Sequence, residues 1–153
     1  MSKPIAIPFA TTLRVREACL CFHVQRAARV LARRFDEALR PVGLTNGQFS
    51  LLMALNRPRS PGMAPATIGS LAALLAMDRT TLTAALKPLE RRGLVAVAPD
   101  PADRRSRLLK LTPAGRAVLA SALPIWRQVQ RAMEERLGDG GPQRLRDGLA
   151  ALG

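Results

Sequence analysis

The chain has 153 residues, 48% of them hydrophobic, so it is long enough for one domain with a substantial core and too short for two independent ones. Its net charge of +13 is typical of a protein with an anionic partner, and the charge lies on predicted folded elements rather than in a basic tail. Alanine, leucine and arginine dominate, whereas aromatic residues make up only 3%, which favours helices over sheets and excludes a disordered chain.

No targeting or membrane segment is predicted. The N-terminal stretch MSKPIAIPFATT lacks the pattern of a secretory signal, and the longest uncharged run, residues 60–77, contains prolines and glycines. Two cysteines without a secretory signal indicate a reducing compartment. We therefore expect a cytoplasmic protein with free thiols and no contact with a membrane.

The first predicted element is one long helix over residues 13–40, because apolar residues recur along it at steps of three and four. Pro41 and Gly43 end this helix. Thr45 is placed to cap a second helix, residues 45–55, and a loop rich in proline and glycine follows over residues 56–65.

A short helix is predicted over residues 67–77, and a longer one over residues 78–93 with Asp78 as its N-cap and Gly93 at its end. The periodicity then changes to two strand-like runs, residues 94–99 and 107–111, separated by a turn rich in arginine. A short helix, a tight turn, a second helix and a basic hairpin together make a winged helix-turn-helix.

Two more helices are predicted after the hairpin. Thr112 and Pro113 indicate the start of a helix that runs to about Leu137. The last helix carries three leucines on one face, at positions 145, 149 and 152. The small winged unit cannot cover the apolar stripes of all these terminal helices, so we expect the stripes to meet those of a second copy.

The predicted fold is mainly α, with a small β-hairpin wing, in a single domain over residues 1–153. The helices over residues 13–40 and 113–153 are predicted to dimerise. Residues 45–112 are predicted to form the DNA-binding region.

The helix over residues 78–93 has one apolar and one polar face. At 100° per residue, Leu82, Ala85, Leu86 and Leu89 cluster on the core side. Small hydroxyl side chains let the opposite face enter a DNA major groove, while its basic side chains reach bases or phosphates. The candidate residues on that side are Arg79, Thr80, Thr81, Thr83, Lys87 and Arg91.

The hairpin tip supplies a second group of candidates, Arg104, Arg105 and Arg107. Arginines on a projecting tip can enter a minor groove or contact phosphates. Asp103 is unfavourable beside DNA, so we interpret it as a wing-shaping residue that pairs with an arginine.

DRRSRLLKLTPAG, residues 103–115, resembles the wing signature of the MarR (multiple antibiotic resistance regulator) family at Asp103, Arg105, Leu111, Thr112 and Gly115. Residues 71–95 also resemble the helix-turn-helix of that family. The resemblance covers about residues 15–137. It implies a homodimeric transcriptional regulator that binds a palindromic operator in double-stranded DNA. No cofactor is expected. Most such proteins repress, and a small molecule or an oxidant releases them from DNA.

Three other classes of function are alternatives to this hypothesis. A non-specific architectural DNA-binding protein shares the charge but does not need a threonine-lined helix face, and the ratio of operator to random-DNA affinity discriminates the two. An adaptor built on a winged helix would lack useful DNA affinity. An enzyme is not expected, because the chain has one histidine and no paired-carboxylate, nucleophile-elbow or phosphate-loop motif.

Cys19, Cys21 and the single histidine, His23, lie within five residues. On a continuous helix the two cysteines diverge by about 200°, which excludes a disulfide between them. This rotation places Cys21 at the margin of the apolar face, where we interpret it as a buried small residue. Cys19 is placed on the polar side beside Arg16, whose charge favours a thiolate.

Leu20-Cys21-Phe22 resembles the motif of the hydroperoxide-sensing MarR branch, which makes Cys21 a candidate sensor and Cys19 a second one. That branch bonds its thiolate with tyrosines. This chain has no tyrosine. The positions where the resemblance would place those tyrosines are occupied by Gln25, Phe35 and Asn46. Cys19 and His23 could share a metal ion on one helix face, but two ligands do not complete a site, so no metal is predicted.

Overall fold

The computed structural model describes residues 6–58 and 62–153. The first five residues of the N-terminal stretch and residues 59–61 of the predicted loop lie outside the described residues. The helices are α1 (Phe9–Ala18), α2 (Leu20–Leu39), α3 (Asn46–Leu55), α4 (Ile68–Leu75), α5 (Arg79–Arg91), α6 (Pro113–Leu137) and α7 (Gly141–Ala150), and the strands are β1 (Ala66–Thr67), β2 (Val95–Pro99) and β3 (Arg107–Leu111).

The prediction of one continuous helix over residues 13–40 is wrong at Cys19. This residue has an extended backbone, with φ −73° and ψ 106°, and separates α1 from α2. Its sulfur accepts a hydrogen bond from the Phe22 N–H at 3.4 Å, so it caps α2, and its own N–H donates to the Val15 carbonyl at 2.9 Å. The chain bends here without losing these backbone partners, although no proline or glycine marks the site.

The break also corrects the placement of the two cysteines. Because Cys19 precedes α2, the separation of about 200° on a continuous helix does not apply to it. The protomer leaves Cys21 exposed and Cys19 half-buried. The interpretation of Cys21 as a buried small residue is therefore wrong for the protomer.

Four helices begin where the sequence predicts. In each of them a side-chain oxygen accepts a hydrogen bond from the backbone N–H three residues later, and the capping residues are Thr45, Thr67, Asp78 and Thr112. Such caps are local interactions, which explains why the sequence pattern predicts them. Pro41 lies in a 3-10 turn, Arg40–Val42, that closes α2, and Gly43 follows with φ +70°.

The strands form an antiparallel sheet of order β1-β3-β2. β2 and β3 are the predicted hairpin, with Val97 opposite Leu109, and β1 pairs through Ala66 with Leu109 on the other edge of β3. β1 was not predicted, because two residues carry no alternating pattern. The helix pair α4–α5 and this hairpin confirm the predicted winged helix-turn-helix.

The buried core extends from the second half of α2 to the first half of α6. It contains Phe35 and Leu39 of α2, leucines of α3, α4 and α5, and Leu109 and Leu111 of β3. Trp126 of α6 is stacked between Phe35 and Phe49, at ring-centroid distances of 6.5 and 6.1 Å. This aromatic stack joins α2, α3 and α6 beneath the winged unit.

The terminal helices differ from this core. α1 contains no buried residue. Leu20, Val24 and Leu31 of α2 are exposed, as are Leu145 and Leu149 of α7. The apolar stripes predicted for the terminal helices are therefore uncovered in the protomer.

Candidate nucleic-acid interface

The candidate reading face of α5 is positioned by the leucines behind it. Leu82, Leu86 and Leu89 are at most 3% exposed and anchor one side of the helix in the core. The six predicted contact residues on this helix are all exposed. They lie on the outer side and in the first turn, as the helical rotation predicts.

The three threonines on this helix are not equivalent. The Thr81 hydroxyl donates to the Asp78 carboxylate at 2.5 Å, and the Thr83 hydroxyl donates to the Arg79 carbonyl at 2.8 Å. A hydroxyl has one proton to donate, so both protons are already used within the helix. Among the described residues the Thr80 hydroxyl has no such partner, and it is the free donor of the three.

Asp78 is the N-cap of α5 and stands at the edge of the candidate interface. Its carboxylate accepts the Thr81 hydroxyl and the Thr81 N–H, the latter at 2.8 Å, and these bonds hold the pKa of Asp78 below its ordinary value. The carboxylate therefore stays ionised at neutral pH. Its role is to start the helix, since a negative group repels DNA phosphates.

Arg79 folds towards the preceding helix. Its guanidinium lies so close to Gly69 of α4 that a Cβ at position 69 would be 3.0 Å from Arg79 Nη2. The absence of a side chain at Gly69 leaves room for this arginine between α4 and α5. The Arg79 guanidinium therefore lies beside α4 and not directly over the first turn of α5.

The wing tip carries Arg104, Arg105 and Arg107, which are all exposed. Asp103 shapes this turn, but the predicted pairing with an arginine side chain is wrong. Its carboxylate accepts the Arg105 N–H at 3.0 Å, and its carbonyl accepts the Ser106 N–H at 2.9 Å. Asp100, which the sequence interpretation missed, makes a similar bond to the Ala102 N–H at 2.9 Å. An aspartate two residues before its N–H donor is the local signal for such turns.

Arg92 is not among the predicted candidates, which include only its neighbour Arg91. The two arginines differ in the structure. The Arg92 guanidinium donates to the Gly43 carbonyl at 2.7 Å, across 49 residues of sequence. No local sequence signal predicts a contact between residues so far apart.

The candidate sensor region contains a hydrogen-bonded chain of side chains. Gln25 donates to the Cys21 sulfur at 3.0 Å and accepts from Arg29 at 3.3 Å. Gln25 thus supplies a donor where the related branch has a tyrosine, whereas Phe35 is buried in the core. The His23 Nε2–H donates to the Glu17 carbonyl at 2.9 Å. Within residues 6–58 and 62–153, no three His, Cys, Asp or Glu side chains are grouped as metal ligands.

Two cavities lie beside α6. One, of about 410 Å³, lies between α2, α6 and α7 and is lined by Leu31, Leu145 and Leu149. At its edge Glu134 accepts from Gln130 at 2.9 Å and pairs with Arg146 at 3.2 Å, which holds the pKa of Glu134 below its ordinary value. The other, of about 330 Å³, lies between α3 and α6.

In the part of the chain that the structure describes, no helix is both long and apolar enough to cross a membrane.

The chain is similar in sequence and in structure to known proteins of one family. A family model described as MarR family matches residues 42–106. The chain is 41% identical over 100 residues to the transcriptional activatory protein BadR of Rhodopseudomonas palustris, covering 65% of this chain and 55% of BadR. It is 37% identical over 86 residues to the HTH-type transcriptional repressor NicR of Pseudomonas putida, covering 56% of this chain and 51% of NicR. These matches span about half the length of the two curated relatives.

Among solved structures, the M. tuberculosis transcriptional regulator MosR in complex with DNA is 41% identical, with a TM-score of 0.77. That alignment covers 88% of this chain and 92% of the MosR chain. These relatives are transcriptional regulators rather than enzymes, in agreement with the prediction from sequence.

Proposed function

This chain belongs to the MarR family, and on that premise we propose that it is a homodimeric, sequence-specific transcriptional regulator that binds a palindromic operator in double-stranded DNA. Residues 45–112 are the proposed DNA-binding region, and the terminal helices, within residues 13–40 and 113–153, are the proposed dimerisation elements. Such a regulator acts where chromosomal DNA lies, so the proposal includes a cytoplasmic location.

One observation carries the proposal. The exposed face of α5, which bears threonine hydroxyls and basic side chains, belongs to the same winged unit as the wing with its exposed arginines. α5 would insert into a major groove, with Thr80 as hydrogen-bond donor and the methyl groups of Thr81 and Thr83 against the bases. Lys87 and Arg91 would meet phosphates. Arg104, Arg105 and Arg107 of the wing would enter the minor groove or contact its phosphates.

The proposed dimer is supported by the uncovered apolar residues of the terminal helices. Leu31, Leu145 and Leu149 are between 38% and 46% exposed in the protomer, and they line one cavity together. Exposed leucines that share a face are typical of an interaction surface. A dimer would carry twice the charge of +13 and place two reading helices about 34 Å apart, in successive major grooves.

The proposed regulator is a repressor that a small molecule or an oxidant releases from DNA. The name of NicR supports repression, and the two cavities beside α6 support a small-molecule signal. Cys21, with its bond from Gln25, is the proposed alternative for an oxidant signal, and Cys19 is the second candidate. Since BadR is named an activatory protein, transcription from the bound promoter in vitro decides the sign.

The test begins with selection of an operator from random DNA duplexes by the full-length protein. Gel-shift titrations then measure the affinity for this operator and for a random duplex between 50 and about 200 mM salt. We expect a selected palindrome, an operator affinity at least about 1,000-fold above that for random DNA, and a steep loss of both affinities with salt. Arg105→Ala should weaken operator binding and reduce the salt slope by about two, one phosphate contact for each protomer of the dimer.

Two results would overturn the proposal. Equal affinity for operator and random DNA would identify the non-specific architectural protein instead. Binding that is insensitive to both salt and Arg105→Ala would remove the DNA interface altogether. A transcription assay in which repression persists after peroxide treatment would remove the oxidant signal without affecting the DNA-binding proposal.

A further inference from the structure

The C-terminal end of α5 is attached to the helical scaffold by a long-range hydrogen bond. Arg92 is the C-cap of α5, and its Nη1 donates to the carbonyl of Gly43 at 2.7 Å. Gly43 lies in the elbow between α2 and α3. A guanidinium bond to a carbonyl is charge-assisted and stronger than a bond between neutral groups.

The elbow is shaped to receive this arginine. Gly43 has a left-handed φ of +70°, and a Cβ at that position would be only 3.1 Å from Arg92 Nη2. A side chain at position 43 would therefore be strained by the backbone and would crowd the guanidinium. The glycine allows both the turn and the close approach of Arg92.

A second attachment holds the same end of α5 from the other side. The Thr112 hydroxyl, at the start of α6, donates to the Gly93 carbonyl at 2.6 Å. The Thr112 N–H donates to the Leu94 carbonyl at 3.1 Å. The residues that follow α5 are thus bonded to the start of α6, while Arg92 bonds to the end of the α2 segment.

The buried leucines hold α5 on the core, and these attachments add constraints at its C-terminal end, where a small displacement has a large effect on the other end. A helix of 13 residues is about 20 Å long, so a tilt of about 5° around one end displaces the other end by about 2 Å. Recognition of base edges requires placement within about 0.5 Å. In a dimer the two reading helices must also match two half-sites at once.

We infer that Arg92 is a positioning residue, which sets the inclination of α5 against the α2–α3 elbow and does not neutralise a DNA phosphate. This inference rests on the proposed function and deepens it. Arg91 and Arg92 are both exposed, so the bond to Gly43 and not burial distinguishes Arg92. Arg91 is in the proposed set of phosphate contacts and provides a matched control at the adjacent position.

The experiment compares Arg92→Gln, Arg92→Lys and Arg91→Gln with the unmodified full-length protein. Each is titrated against the selected operator and a random duplex over the same salt range. For Arg92→Gln we expect an operator affinity about tenfold lower, with random-DNA affinity and salt slope unchanged. Arg92→Lys keeps one donor for Gly43 and should recover most of the loss. Arg91→Gln should weaken binding to both DNAs alike and lower the salt slope by about two, one phosphate contact for each protomer.

Several results would overturn the inference. If Arg92→Gln weakens both DNAs equally and lowers the salt slope, Arg92 is a phosphate contact. If it leaves operator affinity unchanged, the bond to Gly43 positions nothing. If it melts below the assay temperature, the residue acts through folding. If the unmodified protein selects no operator, the proposed function fails and this inference fails with it. If the unmodified protein selects an operator and Arg92→Gln binds it with the same affinity, only the inference is refuted.

Discussion

The winged unit and the terminal helices contain similar amounts of leucine and alanine but use them differently. In the winged unit, leucines such as Leu52, Leu71 and Leu82 are fully buried, because α3, α4, α5 and the sheet surround them. In α1, the first half of α2 and α7, the apolar side chains remain exposed. The winged unit completes its core within one protomer, whereas these helical segments keep apolar side chains exposed.

This difference fits the two roles proposed for the chain, DNA recognition and dimerisation. A reading surface needs a rigid support of its own, so that its exposed side chains keep their positions. A dimerisation surface must leave apolar area for the second copy, because that burial is what stabilises the association. Substitutions in the two regions should therefore have different consequences, and matched pairs of variants test this directly.

The largest expected effect comes from the same substitution at two glycines, Gly115 at the start of α6, where that helix packs against the winged unit, and Gly148 in α7. A Cβ at Gly115 would overlap the Leu94 carbonyl oxygen and lie 2.7 Å from Leu111 Cδ1, whereas nothing lies within 4 Å of a Cβ at Gly148. We expect Gly115→Ala to lower the free energy of unfolding by about 4 kcal/mol or more. Gly148→Ala should raise it by about 0.5–1 kcal/mol, since alanine favours helix. Denaturant unfolding measures both, and equal effects would contradict the packing at Gly115.

The second expected effect concerns the uncovered surface. Leu145→Glu places a charge in the proposed interface, so light scattering should give half the mass of the unmodified protein. Operator affinity should fall by about 100-fold, because a monomer binds one half-site, whereas the two linked protomers of a dimer bind both half-sites at once. Leu74→Glu is the control for the mass alone, since Leu74 of α4 is 60% exposed and lies outside the terminal helices but within the proposed DNA-binding region. A dimeric Leu145→Glu would place the interface elsewhere.

The smallest expected effect distinguishes side chains within the reading face. Thr80→Val removes the free hydroxyl donor and should lower operator affinity by about tenfold. Thr83→Val keeps the methyl group of threonine and replaces a hydroxyl that is already bonded to the Arg79 carbonyl, so affinity should change by less than about twofold. Gel-shift titration at fixed salt compares the two, and a larger loss for Thr83→Val would reverse the assignment.

Features set by neighbouring residues could be predicted from the sequence. The caps at Thr45 and Asp78 depend on a side chain and an N–H three residues later, and Gly93 ends α5 with φ +68° as expected. The polar face of α5 also follows from helical rotation. By contrast, the break at Cys19 could not be predicted, because it uses a cysteine as N-cap and neither proline nor glycine marks it.

The partners of polar side chains were the weakest part of the prediction. Asp103 was expected to pair with an arginine but bonds to backbone N–H groups, and the threonines of α5 looked equivalent until their hydroxyl bonds were known. Sequence spacing states which side chains are near one another but not which hydrogen bond each one makes. That choice depends on distances of a few tenths of an ångström.

The sequence by itself determined the order of the elements, the ends of most helices, the basic wing and the apolar stripes, because each depends on contacts within a few residues. It also marked Gly115 as a position of the family signature. Only the tertiary structure decided why that glycine is required, through its approach to Leu94, and why Arg92 and Arg91 differ, through the carbonyl of Gly43. These contacts join residues far apart in the chain, so their geometry exists only once the core has formed.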